Sequence, residues 1–319
     1  MLLRRQFLLG AVAGLATAPA LLSKAALSKK ERVDRALAGN EVDRPPFSLW
    51  HHFNLHDPES HAKATLEFHR AYRTDIVKVM SDFPYPKPAG NWYELKVEQN
   101  PFAPQLKSLE LIRSGLNGQA YYVETIFNSW TVAEKLSSPA EVLRLKDEHP
   151  EALLAALDTI TQSQIHHAKK ALAGGASGIL LAVANPNSKG LTPQDYVKFS
   201  APFDARILEA TSGAPLNILH LHAEPEYLDL FTKFKAPVLN YSLHVSGIPF
   251  AEARSKFSSV LFGGIDEVHY ASLSPQELKA QWAAAASAAG KKFFLAPGCS
   301  VPNNSTRAEL IRLPELVGA

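Results

Sequence analysis

The chain has one cysteine in 319 residues, too few for any internal disulfide, so Cys299 is left as a free thiol or a metal ligand. It also lacks an excess of either charge. Thirty-three Lys and Arg stand against 31 Asp and Glu, a net charge of +2, with a pI near 8.5. That balance supplies neither a basic stripe for nucleic acid nor a reason to expect an acidic partner. Internal repeats, low-complexity tracts and long charge blocks are absent, which excludes solenoid and tail-like architectures. No Gly-rich dinucleotide fingerprint follows the first predicted strand, which counts against a doubly wound, nucleotide-binding sheet. What is present is a globular composition. The 46% hydrophobic content suffices for one large domain or two small ones, and 22 prolines and 17 glycines are spread as punctuation between many short elements.

The N-terminus reads as a targeting segment. Arg4-Arg5-Gln6-Phe7-Leu8 precedes an apolar stretch from Phe7 to Leu22, with small residues at Ala18 and Ala20 and a second cleavage option at Lys24-Ala25. The stretch is short and weakly hydrophobic beside the roughly 20 apolar residues that a bilayer span needs. The arginine pair followed by Phe-Leu resembles a twin-arginine export signal, with Leu3 where a Ser or Thr usually stands. Residues 1–25 are therefore expected to be a signal peptide, and 26–319 a single mature domain in the periplasm, delivered by the twin-arginine export machinery with no stable membrane span after processing. That route carries folded proteins, often with a cofactor already inserted.

From Ser28 onward, strands and helices alternate. Ser28-Lys29-Lys30-Glu31 reads as a capping box and Gly39 as the stop of its helix. Phe47-Ser48-Leu49-Trp50 is the first predicted strand, Asp57-Pro58 opens the next helix, and Ile76 to Met80 is the second strand. Residues 84–118, rich in proline, are expected to form a long loop or lid. Tyr121–Phe127 has strand composition, and Pro150–Ala173 is a long amphipathic helix closed by Gly174-Gly175. Further strands are expected at Ile179–Val183, Leu216–Leu221, Val238–Leu243, Val260–Phe262 and Phe293–Leu295. The helices between and after them start at Thr192-Pro193, near Glu224-Pro225, at Pro249, at Ser274-Pro275 and at Thr306. About eight strands alternating with helices, over a length near the typical ~250 residues, predict an α/β fold of the (β/α)₈ TIM-barrel type.

Such a barrel carries function at the C-terminal ends of its strands. Those ends read His51-His52, Ser81-Asp82, Asn128, Asn185, His220 with His222, His244, Asp266 and Cys299. Residues two apart on a strand share a face, so His220 and His222 present two imidazoles side by side. Two imidazoles and a thiolate form a three-ligand zinc set with one open position. The competing reading is that the histidines are hydrogen-bonded barrel residues and Cys299 a buried small hydrophobe. Trp50 is assigned to the core, and His61, His69, His166 and His167 to solvated or structural places on helices.

Val42-Asp43-Arg44-Pro45-Pro46, Met80-Ser81-Asp82, Gly263-Gly264-Ile265-Asp266 and Pro297-Gly298-Cys299-Ser300-Val301-Pro302 together resemble, in the same order, the uroporphyrinogen decarboxylase family. The resemblance runs from about residue 30 to 315 and implies a (β/α)₈ barrel. In the family's decarboxylases an Asp holds the pyrrole nitrogens, and Asp82 stands in that place, with His52 beside it as a second catalytic candidate. Their paired arginines after the first strand are missing here: the segment is Leu49-Trp50-His51-His52-Phe53-Asn54-Leu55. Neutral histidines are poor substitutes for arginine toward an octacarboxylate. In the family's zinc-dependent corrinoid methyltransferases, a His-x-Cys pair and a distant Cys hold zinc. His220 and Cys299 match two of those ligands, and His222 replaces the first Cys. Losing one thiolate makes the zinc more electrophilic, which favours water or carboxylate activation beside thiol chemistry.

The resemblance thus implies a metal-dependent, methyltransferase-like enzyme acting on a small molecule. Its zinc would lie on His220, His222 and Cys299, its catalytic groups would be Asp82 and His52, and its substrate contacts His51, Asn128, Asn185, His244 and Asp266. The chain shows no corrinoid domain of its own, so a corrinoid would enter only as an external methyl donor. The alternatives are decarboxylation through Asp82 and a non-catalytic periplasmic metal or ligand carrier.

Overall fold

Seven short apolar runs form strands, each parallel to its neighbour and buried on both faces. The computed structural model describes residues 26–185, 191–222 and 227–319. The strands are β1 (Ile76–Val79), β2 (Tyr121–Phe127), β3 (Gly178–Val183), β4 (Ile218–Leu221), β5 (Val238–Tyr241), β6 (Val260–Ile265) and β7 (Phe293–Pro297), in the sheet order β1-β2-β3-β4-β5-β6-β7. Burial on both faces is what a parallel sheet covered by crossover helices demands, and it explains why these runs are apolar without a polar alternation.

The sheet curls, and the segment before β1 touches both of its edges. Ser48 N–H donates to Leu295 O at 3.0 Å and Leu295 N–H to Pro46 O at 2.8 Å, while Asp75 N–H donates to Phe47 O at 2.9 Å. Of the eight strands expected, seven form; the first is reduced to a single bridge, Phe47 with Leu295. Pro45 and Pro46 have no N–H to offer a ladder, which limits pairing there to the residues after them. Charge closes the same seam. Fully buried Asp75 binds Arg32 at 2.7 Å and Arg44 at 2.5 Å, and accepts the Phe47 N–H at 3.0 Å. Arg32 also pairs with Asp43 at 2.7 Å. The Val42–Pro46 motif is thus a structural clasp.

Alternate strand residues separate two cores. Trp50, Ile76, Val123, Ile218, Phe262 and Phe294 pack inside the curled sheet, whereas Val77, Val79 and Tyr122 face outward onto helices. Inward-facing positions on β1 are therefore 76 and 78, followed by Met80 just past its end, and on β4 218 and 220.

Asp57, Ser138, Thr192 and Ser274 each cap a helix whose next residue is proline, with the side chain accepting the N–H three residues on. Ser28 caps Lys29–Leu37 in the same way, but Glu31 pairs with Arg35 instead of completing a box. Pro150–Ala173 is helical over the span expected. The loop or lid expected over residues 84–118 is only half present. Ala103–Leu116 is a helix burying Leu109 and Ile112, because Pro104 lies in its first turn, where proline starts a helix and does not break one. Helices Ser129–Leu136 and Pro139–Glu148 were not anticipated. The export signal expected over residues 1–25 and the helix start near Glu224-Pro225 lie outside the described residues. No helix among the described residues is long and apolar enough to cross a membrane.

Candidate metal centre and adjoining cavity

His220 lies on β4 in register with Asn240 of β5. Its Nδ1–H donates to Asn240 Oδ1 at 2.5 Å, and Asn240 Nδ2 donates to Phe262 O on β6 at 2.7 Å. The second bond orients the amide, and the first then sets the imidazole tautomer, leaving the Nε2 lone pair free. That atom points at Cys299 Sγ, 3.6 Å away, and His222 Nδ1 lies 3.2 Å from the same sulfur. The three donor atoms all fall within 4.8 Å of one another. Zn–N and Zn–S bonds of about 2.0 and 2.3 Å at tetrahedral angles separate N from S by about 3.6 Å, so each imidazole nitrogen already lies near its zinc-bound distance from the sulfur.

Gly298 sets the approach of the thiol. A Cβ there would lie 2.3 Å from Ser242 Cα and 2.9 Å from Glu267 Oε2, so only glycine lets the turn after β7 come this close. Burial lowers the pKa of both histidines, which keeps them neutral and able to ligate. Burial pushes the Cys299 thiol up, but the contact with His220, the nearby Lys78 ammonium and the Ser300 N–H outweigh it and bring the thiol below its ordinary value.

A second constellation centres on Asp82, whose carboxylate is almost wholly enclosed. Oδ1 binds His52 Nδ1 at 2.8 Å, Oδ2 accepts the Asn54 N–H at 3.2 Å, and His61 Nε2 stands 3.9 Å from Oδ2. Asn54 adopts a left-handed φ of 56° to deliver that N–H. Burial works to raise the Asp82 pKa; the His52 bond, the charges of His52 and His61 and the Asn54 N–H together lower it, so Asp82 is an ionised acceptor at neutral pH.

Next to Asp82 opens a cavity of about 250 Å³, walled by Phe83, Phe102, Phe127, Val132 and Leu136 and bordered by Tyr85 and Lys135. The charges of His52 and Lys135 both act on the His222 imidazole, which puts the trio within electrostatic reach of the Asp82 pair and the cavity border.

The structure brings His220, His222 and Cys299 together, and separately pairs Asp82 with His52. The other predicted residues do different work. His51 packs against Phe53 and Phe68, its neighbour His52 having taken the opposite side of the chain. Asn128 caps Ser129–Leu136 and donates to Asn185 and Ser200, within a fully enclosed network. Asn185 spends its carbonyl on that bond and is itself buried. His244 donates to Gly264 O at 3.2 Å. Asp266 holds a turn, accepting from Val268 N–H, His269 N–H and the His269 ring. None of these five reaches the cavity lining.

Four residues were missed. His61, assigned to a solvated or structural place on its helix, is fully buried; its Nδ1 binds Ser108 Oγ at 2.7 Å and its Nε2 faces Asp82. Lys78 lies inside the curled sheet with Nζ 3.0 Å from Met80 Sδ and 5.5 Å from the Trp50 ring, and burial lowers it to about 8. A lysine in the middle of Ile-Val-Lys-Val was its available signal. Glu267, next to the residue that was chosen, is buried, accepts Ser242 Oγ at 2.9 Å and is raised by burial. Lys135 is the fourth.

Residues 86–318 match the family model described as uroporphyrinogen decarboxylase. No curated protein matches the sequence. Among solved structures, a methyltransferase from Methanosarcina mazei superposes with a TM-score of 0.76 at 17% identity, covering 91% of this chain and 98% of its own. A B12-independent methionine synthase from a Shewanella species, solved in complex with selenomethionine, gives a TM-score of 0.60 at 12% identity over 86% of this chain and 93% of its own. A protein from Listeria monocytogenes described as a vitamin-B12-independent methionine synthase gives 0.52 at 10% identity, over 82% and 86%. At these identities the likeness is one of fold.

Proposed function

Because the chain belongs to the uroporphyrinogen decarboxylase family, we propose that it is a zinc-dependent, methyltransferase-like enzyme of the periplasm, acting on a small substrate. The single observation that carries the reading is the convergence of His220 Nε2, His222 Nδ1 and Cys299 Sγ within 4.8 Å, with the first tautomer already set by Asn240. Bound zinc would supply a Lewis acid with one open position for a substrate oxygen, sulfur or water. The protein's own part is positional and electrostatic. His220 and His222 enter as neutral donors, and Cys299 contributes the one negative charge. Lys78 adds a nearby positive charge that favours the thiolate. Asp82, ionised and fixed by His52 and Asn54, stands at the cavity end of the site as a proton acceptor or an anchor for a substrate N–H or O–H. The apolar cavity walls exclude water from a substrate's body while its reacting end faces the trio.

The test is metal content. Purified chain is expected to carry one zinc, lost in both His222→Ala and Cys299→Ala, with methyl-transfer or hydrolytic turnover lost alongside; metal-free wild-type protein would sink the reading. Export is checked by exchanging Arg4 and Arg5 for lysine and following the chain in cell fractions, and periplasmic chain in undiminished amount refutes the twin-arginine route. A second reading, decarboxylation, is favoured by the enclosed Asp82–His52 pair. A cavity of about 250 Å³ without a lining arginine suits a small acid better than a tetrapyrrole octacarboxylate. Turnover of such an acid that needs Asp82 and is indifferent to Cys299→Ala would select it.

A further inference from the structure

The cavity beside Asp82 has walls of one kind and polar groups of another. Phe83, Phe102, Phe127, Val132 and Leu136 make it apolar, and its volume is about 250 Å³. A cavity of about 150 Å³ holds benzene, so a ring with substituents fits.

Most polar atoms at its border are already engaged. Asp82 has one oxygen on His52 and the other on Asn54 N–H. Gln164 donates to Phe127 O at 2.6 Å and accepts from Ser129 Oγ at 3.2 Å. Tyr85 and Lys135 are two that are not. The Tyr85 hydroxyl is buried without a hydrogen bond. Ser163, its nearest hydrogen-bonding neighbour, already uses its hydroxyl on Glu98 N–H and Thr159 O.

Lys135 is the other. It stands in the last turn of Ser129–Leu136 with Nζ 3.1 Å from the centre of the Phe127 ring. Among the described residues no carboxylate pairs with it. The side chain keeps solvent-exposed surface, so it is reachable from the mouth. Lys87, also exposed, lies on the same border. The anion that acts on Lys135, Asp82, is already bonded to His52 and the Asn54 N–H and makes no ion pair with it, so a ligand carboxylate would be its direct partner.

We propose that this cavity takes a small monocarboxylate with an apolar, ring-sized body, its carboxylate on Lys135 and its body between Phe102, Phe127 and Leu136. The assignment rests on the reading of the trio and Asp82 as the reacting end of the same site, and it names the substrate class that reading leaves open. The buried Tyr85 hydroxyl meets a polar substituent on the body, so a hydroxylated ring is held better than a bare one.

The experiment is calorimetric titration of the full chain with benzoate, benzamide and benzylamine. Benzoate is expected to bind about tenfold or more tightly than the other two, the worth of a hydrogen bond to a charged group. Lys135→Met should bring benzoate down to the benzamide level, Lys135→Arg should restore the preference, and 4-hydroxybenzoate should lose its advantage over benzoate in Tyr85→Phe. Equal affinity for benzoate and benzamide, preference for benzylamine, or no benzoate binding overturns the assignment. His222→Ala, read in the same titration, keeps the two proposals separate. Benzoate binding by a wild-type chain that holds no zinc leaves the cavity assignment standing and removes the metal reading, whereas wild-type zinc without benzoate binding does the reverse, and benzoate binding retained in zinc-free His222→Ala leaves both standing.

Discussion

His220 shows how one residue's chemistry is decided by atoms it does not share with a ligand. Asn240 takes the Nδ1 proton, Phe262 O holds Asn240 in the orientation that lets it do so, and only then is Nε2 a donor. Asn240→Ala is therefore expected to weaken zinc binding about 10- to 100-fold, as loss of a ligand's outer partner generally does, without removing any ligand. Competition against a chromogenic chelator measures it, and an unchanged affinity would show that the tautomer is set elsewhere. At this scale the trio was legible from the chain alone. His220 and His222 are two apart on an apolar run, and Cys299 is the one cysteine. Asn240, Glu267 and His61 were not, because each matters through a neighbour on another strand or helix. Asp266 was chosen over Glu267 for its place in a motif, yet its carboxylate is consumed by its own turn, as short acidic side chains after strands often are.

The helix Pro58–Tyr72 carries a pH-sensitive contact at its end. His69 is buried, donates Nδ1–H to Thr74 Oγ1 at 2.9 Å and faces the Lys29 ammonium, 3.3 Å from Nε2. Burial first, then the charges of Lys29 and Arg70, lower its pKa from 6.5 to about 4. Between those values the unfolded chain binds a proton that the folded chain refuses. This contribution is therefore complete above pH 6.5 and fades as pH falls toward 4. His69→Gln should flatten that part of the stability profile, by on the order of 2 kcal/mol between pH 7 and 4.5. Urea melts of both proteins across the range measure it, and parallel profiles would refute the assignment. Element boundaries were readable wherever caps and prolines marked them, as at Asp57-Pro58 and Ser274-Pro275. Ala103–Leu116 escaped because Pro101 and Pro104 crowd its start. Ser129–Leu136 escaped because it begins directly after β2, with Asn128 acting as strand end and cap at once.

Across the whole molecule, the seam between the two edges of the curled sheet depends on few backbone bonds and one buried charge cluster. Asp75 anchors Arg32, Arg44 and the Phe47 N–H, so it ties the segment before β1 to the sheet. Asp75→Ala leaves that N–H and the buried Arg32 guanidinium short of a partner and is expected to destabilise the fold by about 3 kcal/mol or more. Asp75→Asn should recover part of that loss. Chemical denaturation at neutral pH tests both, and a change within about 0.5 kcal/mol would mean that the seam is held elsewhere. The sequence by itself determined the alternation of strands and helices, the inward pairing of His220 with His222, and the family, since periodicity, caps and ordered motifs are local properties of the chain. Tertiary structure decided the rest. It drew Cys299 to the histidines through the one approach that Gly298 permits, and turned His61 and Lys78 inward. It set Lys135 over Phe127 at the mouth of an apolar cavity. Those placements depend on which strand ends meet when the sheet curls, and distances across a curled sheet are written in no single segment of the chain.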